Sequence, residues 1–336
     1  MMKLKKLLMR FQRNLENNLE TQKRMKIYIS YDHCIGCKKC VEICPNNVFS
    51  FEDELPKITD IDKCSFCGVC ADQCPNQAIQ IEINKYHKKY TSVDIKVKDD
   101  YIELSKTLKE ILNLNKNPVA IKLIKNDQEL PDKVKVLDFP VRHCVSINMA
   151  AHGSMFYLPG DMHACAAAKA ALGIEKLPEK VRNGKVPYMH GLAISEKIAA
   201  RIMDEIPKLP LNTVKGTFVA PLDKIPVEPD VVVLTVQPKQ AMWVANSLLY
   251  SVGGPRITAN FAGMQASCGD VTVVPILKNM VNFSVGCYGC RSAGKLADDE
   301  MYVGIPSEKL SSVVSNLKGL RKAMSSLEKT EVVRDE

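Results

Sequence analysis

The chain opens on a stripe of apolar residues at helical spacing. Leu4, Leu8, Phe11, Leu15 and Leu19 recur every three or four positions, with Lys3, Lys5, Lys6, Arg10 and Arg13 around them. The pattern predicts an amphipathic helix over residues 3–20, within a basic N-terminal segment 1–25. Such a helix suits docking or contact with a membrane surface, or packing on its own protein. Residues 26–82 follow another rhythm. A strand, "KIYIS", comes first. Two cysteine runs follow, each leading into a short apolar strand, "VFSF" after the first and "AIQI" after the second. This is an internal repeat, two copies of one unit. Residues 83–100 are polar and lysine-rich, and read as a connector.

From residue 101 to 330 helical and strand periodicities alternate. "YIELSKTLKEIL", "HACAAAKAALG", "SEKIAARIMDEI" and "QAMWVANSLLYSVGG" have helical spacing. "PVAIKLI", "DVVVLTV", "DVTVVPIL" and "EMYVGIP" read as strands. A last helix starts at Ser307, with Leu310, Val313, Val314, Leu317 and Leu320 on one face. The expected fold class is therefore α+β: a small repeat domain and a larger α/β domain with a layered core.

Composition adds one unusual feature. With 46% apolar and 25% charged residues the chain is ordinary, but its 336 residues include 13 cysteines. The odd count argues against a disulfide framework. The longest apolar stretch near the N-terminus is "LLM", too short for an export signal, and no run approaches a membrane span. The expected location is cytoplasmic, with thiols reduced or bound to metal. Net charge is +8, distributed as +6 over residues 1–30, −5 over residues 31–82 and +7 over the remainder. A basic arm ahead of an acidic cysteine module points to a partner protein, and no nucleic-acid motif or interleaved aromatic pattern points to specific nucleic-acid binding.

The eight N-terminal cysteines carry the strongest chemistry. Cys34, Cys37, Cys40 and Cys44 repeat the spacing of Cys64, Cys67, Cys70 and Cys74, and Pro45 and Pro75 close the two runs. C-x2-C-x2-C-x3-C-P is the spacing of two-cluster iron–sulfur proteins, in which the fourth cysteine of each run ligates the other cluster. Cys34, Cys37, Cys40 and Cys74 are thus expected on cluster one, and Cys64, Cys67, Cys70 and Cys44 on cluster two. The stretch resembles bacterial-type two-cluster [4Fe-4S] ferredoxins over about 57 residues. It departs from them at Lys38, where glycine is common and where the second copy has Gly68. Lys38 and Lys39 put positive charge near cluster one, which is expected to raise its potential relative to cluster two when their ammonium groups are not turned fully into solvent. With four cysteines on each cluster no iron position stays open, so the module conducts electrons and does no chemistry on a substrate.

Five cysteines remain: Cys144, Cys165, Cys268, Cys287 and Cys290. In "GCYGCR", Cys287 and Cys290 can share a metal or form a redox dithiol, with Arg291 placed to stabilise an anion. Cys165, within an alanine-rich stretch, also reads as a small buried apolar residue. His143, His152, His163 and His190 are further candidate ligands.

The segments "NPVAIKLI", "HCVSINMAAHG", "LPGDMHACAAAKAALGI", "PKQAMWVANSLLYSVGG" and "SVGCYGCR" resemble the archaeal and bacterial domain of unknown function 169. That resemblance directs attention to Cys144, Cys165, Cys268 and Cys287 as a third cluster site, with Cys290 an extra ligand, and implies a strict anaerobe such as a methanogenic archaeon. The expected function is transfer of single low-potential electrons through two [4Fe-4S] clusters to a cysteine-containing site, a third cluster or a dithiol, as in a ferredoxin-type oxidoreductase. The alternatives are an electron carrier docked onto a larger complex, and a cluster carrier or redox sensor.

Overall fold

A computed structural model describes residues 25–44, 46–64, 69–83, 99–128, 130 and 134–327. The helix expected at residues 3–20 lies outside them, as do Cys67 and most of the connector. The described chain divides into two compact units: residues 25–83 with 180–201, and residues 99–179 with 202–327.

In the first unit β1 (Met25–Ile29) is followed by α1 (Lys39–Ile43), β2 (Phe49–Glu52), β3 (Leu55–Ile58), α2 (Val69–Asp72) and β4 (Ile79–Ile83). β1 pairs antiparallel with β4, Ile27 opposite Ile81, which joins the start of the first copy to the end of the second. β2 and β3 form a hairpin in which Glu52 faces Leu55 across Asp53 and Glu54. Both turn residues have positive φ, as a two-residue hairpin turn requires. Ile27, Val48, Phe49 and Ile79 bury themselves against Cys40, Cys44, Cys64 and Cys70, so the cysteines form part of this small core.

The repeat is visible atom by atom. The Val48 amide donates to Cys44 Sγ at 3.4 Å and the Ala78 amide donates to Cys74 Sγ at 3.2 Å. Asn47 and Gln77, each immediately before its donor, share the left-handed conformation at φ 51° and 52°.

The second unit is built on a six-stranded sheet. Along the chain come α3 (Asp99–Leu112), β5 (Val119–Lys125), α4 (His143–Ala151), β6 (Phe156–Pro159) and α5 (Ala166–Ala171). Three short helices follow in the sequence, α6 (Glu179–Arg182), α7 (Lys185–Met189) and α8 (Glu196–Asp204), and they fall mostly within residues 180–201, which are grouped with the first unit. Then come β7 (Val214–Pro221), β8 (Val231–Val236), α9 (Pro238–Tyr250), a π-helix (Ala266–Val273), α10 (Val274–Lys278), β9 (Asn282–Ser284), α11 (Tyr288–Ser292), β10 (Met301–Pro306) and α12 (Ser307–Leu327). The strand order is β6-β7-β5-β8-β10-β9, and every pairing is antiparallel.

Strand alternation sorts the sheet into two faces. Phe218 and Ala220 of β7, Val232 and Leu234 of β8, and Val303 and Ile305 of β10 pack with Leu108 of α3, Trp243 and Val244 of α9, and Leu310, Val313 and Leu317 of α12. Full burial of each large side chain contributes about 1.5–3 kcal/mol. Thr217, Tyr302 and Gly304 occupy the alternate positions and turn to the other face, where α4, α5 and the π-helix lie. Both faces are covered, which is why "DVVVLTV" reads as an unbroken apolar run: Val231 through Leu234 are all fully buried.

The strand expected at "DVTVVPIL" is corrected. Residues 270–273 close the π-helix and Val274–Lys278 form α10. Its β-branched run mimics a strand because every residue from Ala266 to Val273 is buried, whichever way it points. A continuous apolar run carries no period to separate the two structures. The Thr272 hydroxyl donates to Ser267 O, five residues back, at 2.7 Å, reinforcing the wide turn.

Candidate functional site

In the first unit one cavity is lined by Cys34, Cys37, Cys40 and Cys74, three cysteines of the first run and the fourth of the second. Burial, with Cys34 and Cys37 beside it, pushes the Cys40 thiol up to about 11. Cys44, Cys64 and Cys70 lie buried in the same small core. The donor set fits an iron–sulfur cluster: four cysteines line one space, and a backbone amide points at the sulfur of Cys74.

In the second unit the five downstream cysteines converge. Cys287 stands just before α11 and Cys290 lies within it, fully buried, with their Sγ atoms 3.2 Å apart. Cys144, in the first turn of α4, donates through Sγ to Gly289 O at 3.4 Å. Cys165 stands immediately before α5, and Cys268 is in the π-helix. Their mutual influence shows in their acidity. The Cys144 hydrogen bond and burial push Cys290 up to about 12. Contact with Cys290, then burial, raises Cys287. Burial raises Cys268 well above its ordinary value, with Cys165, Cys287 and Cys290 all adding to it. Tyr302, from β10, is held protonated by burial and by Cys290, Cys144 and Cys287. Cys268, Cys287 and Cys290 thus stay protonated through the neutral range. Among the described residues no three His, Cys, Asp or Glu side chains are grouped to hold a single metal ion.

Parallel chain segments bring part of this pocket together. Val141 bridges His163, with the Val141 amide donating to Met162 O at 2.9 Å and the Ala164 amide donating to Val141 O at 2.8 Å. His143–Cys144 and His163–Cys165 are thereby set side by side, and the two imidazoles stack with centroids 5.8 Å apart. Thr272 Oγ1 has given its proton to Ser267, so it accepts from His143 Nε2 at 3.1 Å, which leaves His143 Nδ1 as the lone-pair nitrogen. His163 Nε2 lies 3.2 Å from Thr217 Oγ1. Burial lowers both histidines, His143 to about 4, and keeps them neutral. His152 is exposed and pairs with Asn148 O; His190 belongs to the segment grouped with the first unit.

Arg291 does not serve the thiols. Its guanidinium donates to Ala297 O and Val285 O at 2.6 Å each, and to Glu300 O at 3.3 Å, which staples the loop after α11. The cation beside the dithiol turn is Arg142, largely buried, whose Nη1 would stand 3.2 Å from a Cβ placed on Gly289. A lone arginine ahead of "HC" gave no signal of this in the sequence.

Asp270 was also missed. It is buried in the π-helix and accepts a hydrogen bond from Ser284 Oγ at 2.7 Å. Burial raises its carboxyl to about 6, while the Ser284 bond pulls it back. Because the folded value lies above the unfolded one, the native state binds more protons between about pH 4 and 6. Stability therefore falls as pH rises through that window, and the full penalty persists above it. Asp270→Asn is expected to remove that pH dependence and stabilise the protein at pH 7 by about 1–3 kcal/mol. Melting temperatures of both proteins from pH 4 to 7 check this; parallel curves would refute it.

The first unit defines an iron–sulfur electron-transfer protein, and residues 33–78 match the 4Fe-4S dicluster domain. Residues 107–316 match the family of uncharacterised ArCR proteins, domain of unknown function 169, and the chain belongs to that family. A curated relative, an uncharacterised protein of Methanocaldococcus jannaschii, is 33% identical over 221 residues, which cover 65% of this chain and 94% of the relative. No solved structure matches. Among the described residues no helix is long and apolar enough to cross a membrane.

Proposed function

We propose that the chain is a ferredoxin-type oxidoreductase in which Cys34, Cys37, Cys40 and Cys74 hold one [4Fe-4S] cluster, Cys64, Cys67, Cys70 and Cys44 hold the second, and the Cys287–Cys290 pair is the electron-accepting site. The clusters, when bound, supply single low-potential electrons, one from each. The pair's disulfide takes up two electrons and two protons; its S–S bond breaks and two thiols form. The observation that carries this reading is the 3.2 Å contact between the two sulfurs, with Cys287 partly exposed and Cys290 buried. Cys287 meets the substrate, and Cys290 closes the disulfide behind it. Arg142 lies against the turn that joins them.

The two separate family matches support a division of labour. The family domain matches residues 107–316, which include all five downstream cysteines, and the dicluster domain matches residues 33–78. The pocket then belongs to the family domain, and the dicluster module is its attached electron source. Redox chemistry therefore calls for a partner protein that charges the module.

A second reading, a third cluster on Cys144, Cys165, Cys268 and Cys287, is favoured by the convergence of five thiols where a dithiol needs two. Iron and acid-labile sulfide, measured with free thiols on the full chain purified without oxygen, separate the two. About eight irons, with two thiols gained on reduction, is the expected result. About twelve irons would overturn the dithiol reading in favour of the third cluster.

A further inference from the structure

We propose that Lys38 makes cluster one the electron sink of the dicluster module, so that an electron entering the pair settles on the Cys34, Cys37, Cys40 and Cys74 side. This rests on the ligand sets above and is independent of what the downstream thiols do.

The argument begins with symmetry. Potentials of iron–sulfur clusters follow net charge, hydrogen bonds to the sulfurs and exposure. The fourth cysteine of each run accepts a backbone N–H from the residue four positions on, at 3.4 Å for Cys44 and 3.2 Å for Cys74. These sulfurs belong to different clusters, so that backbone contribution is nearly the same on both. The pair of residues between the second and third cysteines is not. The second copy has Gly68 and Val69 between them and the first has Lys38 and Lys39, of which Lys38 is the one whose ammonium is held by an aromatic ring.

Lys38 occupies a glycine's backbone. Its φ is 61°, in the left-handed region that a lysine adopts only at a cost. The side chain is exposed, but its ammonium is held in place against an aromatic ring. Its ammonium lies over the Phe51 ring, 4.5 Å from the centroid. That ring is tucked under the cysteine loop, its Cζ 3.9 Å from a Cβ placed on Gly36. Lys38 itself lines the cavity with Cys34, Cys37, Cys40 and Cys74. The cation–π contact thus pins a unit positive charge at the wall of one cluster site. Adding an electron makes a cluster more negative, and a fixed cation stabilises the reduced form. With both clusters bound, Lys38 would bias the single-electron exchange between them toward the Cys34, Cys37, Cys40 and Cys74 side, an exchange that would move no proton and break no bond.

The test is a redox titration of the full-length protein followed by electron paramagnetic resonance, on the wild type, Lys38→Met, Lys38→Arg and Lys38→Gly. The wild type should show two midpoints. Met and Gly should lower the upper one and leave the lower one in place, and Arg should retain the separation. High salt should narrow the wild-type gap by screening. A single wild-type midpoint, or neutral variants that leave both midpoints unmoved or shift both equally, overturns the proposal. About eight irons in every variant shows that the ligand reading survives such a failure. Lys38→Gly should also raise the melting temperature by relieving the backbone, while Lys38→Met should not, which separates strain from charge.

Discussion

Replacing Cys287 and Cys290 together by serine is expected to halve the electron capacity of the oxidised full chain, from about four electrons to about two, and to abolish turnover. Each cluster takes one electron and the disulfide takes two, so only the disulfide's share disappears. The N-terminal module has its own core of Ile27, Val48, Phe49 and Ile79 around its cysteines and should keep about eight irons. The single variants should lose activity almost as fully as the double, on the order of 10³-fold or more, because the two sulfurs act as one unit. They should differ in what they retain. With Cys290 replaced, a small aromatic disulfide exchanged onto Cys287 has no Cys290 to expel it and stays bound as a mixed disulfide. With Cys287 replaced, the remaining thiol is fully buried and reacts slowly. Both reactions should quicken as pH rises, since burial and neighbouring thiols hold Cys287 and Cys290 protonated through the neutral range. Anaerobic reductive titration counts the electrons, and mass measurement finds the adduct. An unchanged capacity in the double variant sinks the dithiol reading.

The parts of the molecule that were legible in its sequence are those in which spacing itself is the chemistry. The two cysteine runs announced the dicluster module, and the structure lines one cavity with Cys34, Cys37, Cys40 and Cys74 from both runs. Helices α3, α9 and α12 were legible because each shows one apolar stripe to the sheet. The pocket in the larger unit was only half legible. Cys287 and Cys290 are neighbours along the chain, but Cys144, Cys165 and Cys268 reach them through a parallel bridge at Val141 and His163 and through the π-helix. Such contacts are set by tertiary packing, which leaves no local period. The π-helix itself was misread as a strand for that reason. Arg142 and Asp270 escaped because each is a single polar residue, and only burial distinguishes them from any other.

The π-helix stands where it does because β10 has no side chain at residue 304, and Gly304→Ala is expected to show this. A Cβ at Gly304 would lie 2.2 Å from Val271 O, and 2.8 Å from both Val271 C and Val271 Cα. All three are backbone atoms, so no rotamer change makes room. The strand cannot retreat either, for Gly304 is paired with Val233 of β8 on one side and with Asn282 of β9 on the other. The π-helix must move. It carries Cys268, Asp270 and Thr272, and it is tied to β9 through Asn282 Nδ2, which donates to Asp270 O at 2.8 Å, and through Ser284 Oγ on Asp270. One methyl group therefore loads the strain onto the wall of the cysteine pocket. Overpacking of this kind costs about 1–3 kcal/mol, or a fall of roughly 2–12 °C in melting temperature for a domain of this size. The same displacement carries Cys268 and the Thr272 acceptor of His143 away from the dithiol, so electron uptake beyond the two clusters should weaken while the iron content holds. Calorimetry and the reductive titration read the two effects on one sample. A melting temperature within about 1 °C of the wild type would mean that β10 and the π-helix are not in backbone contact at Gly304.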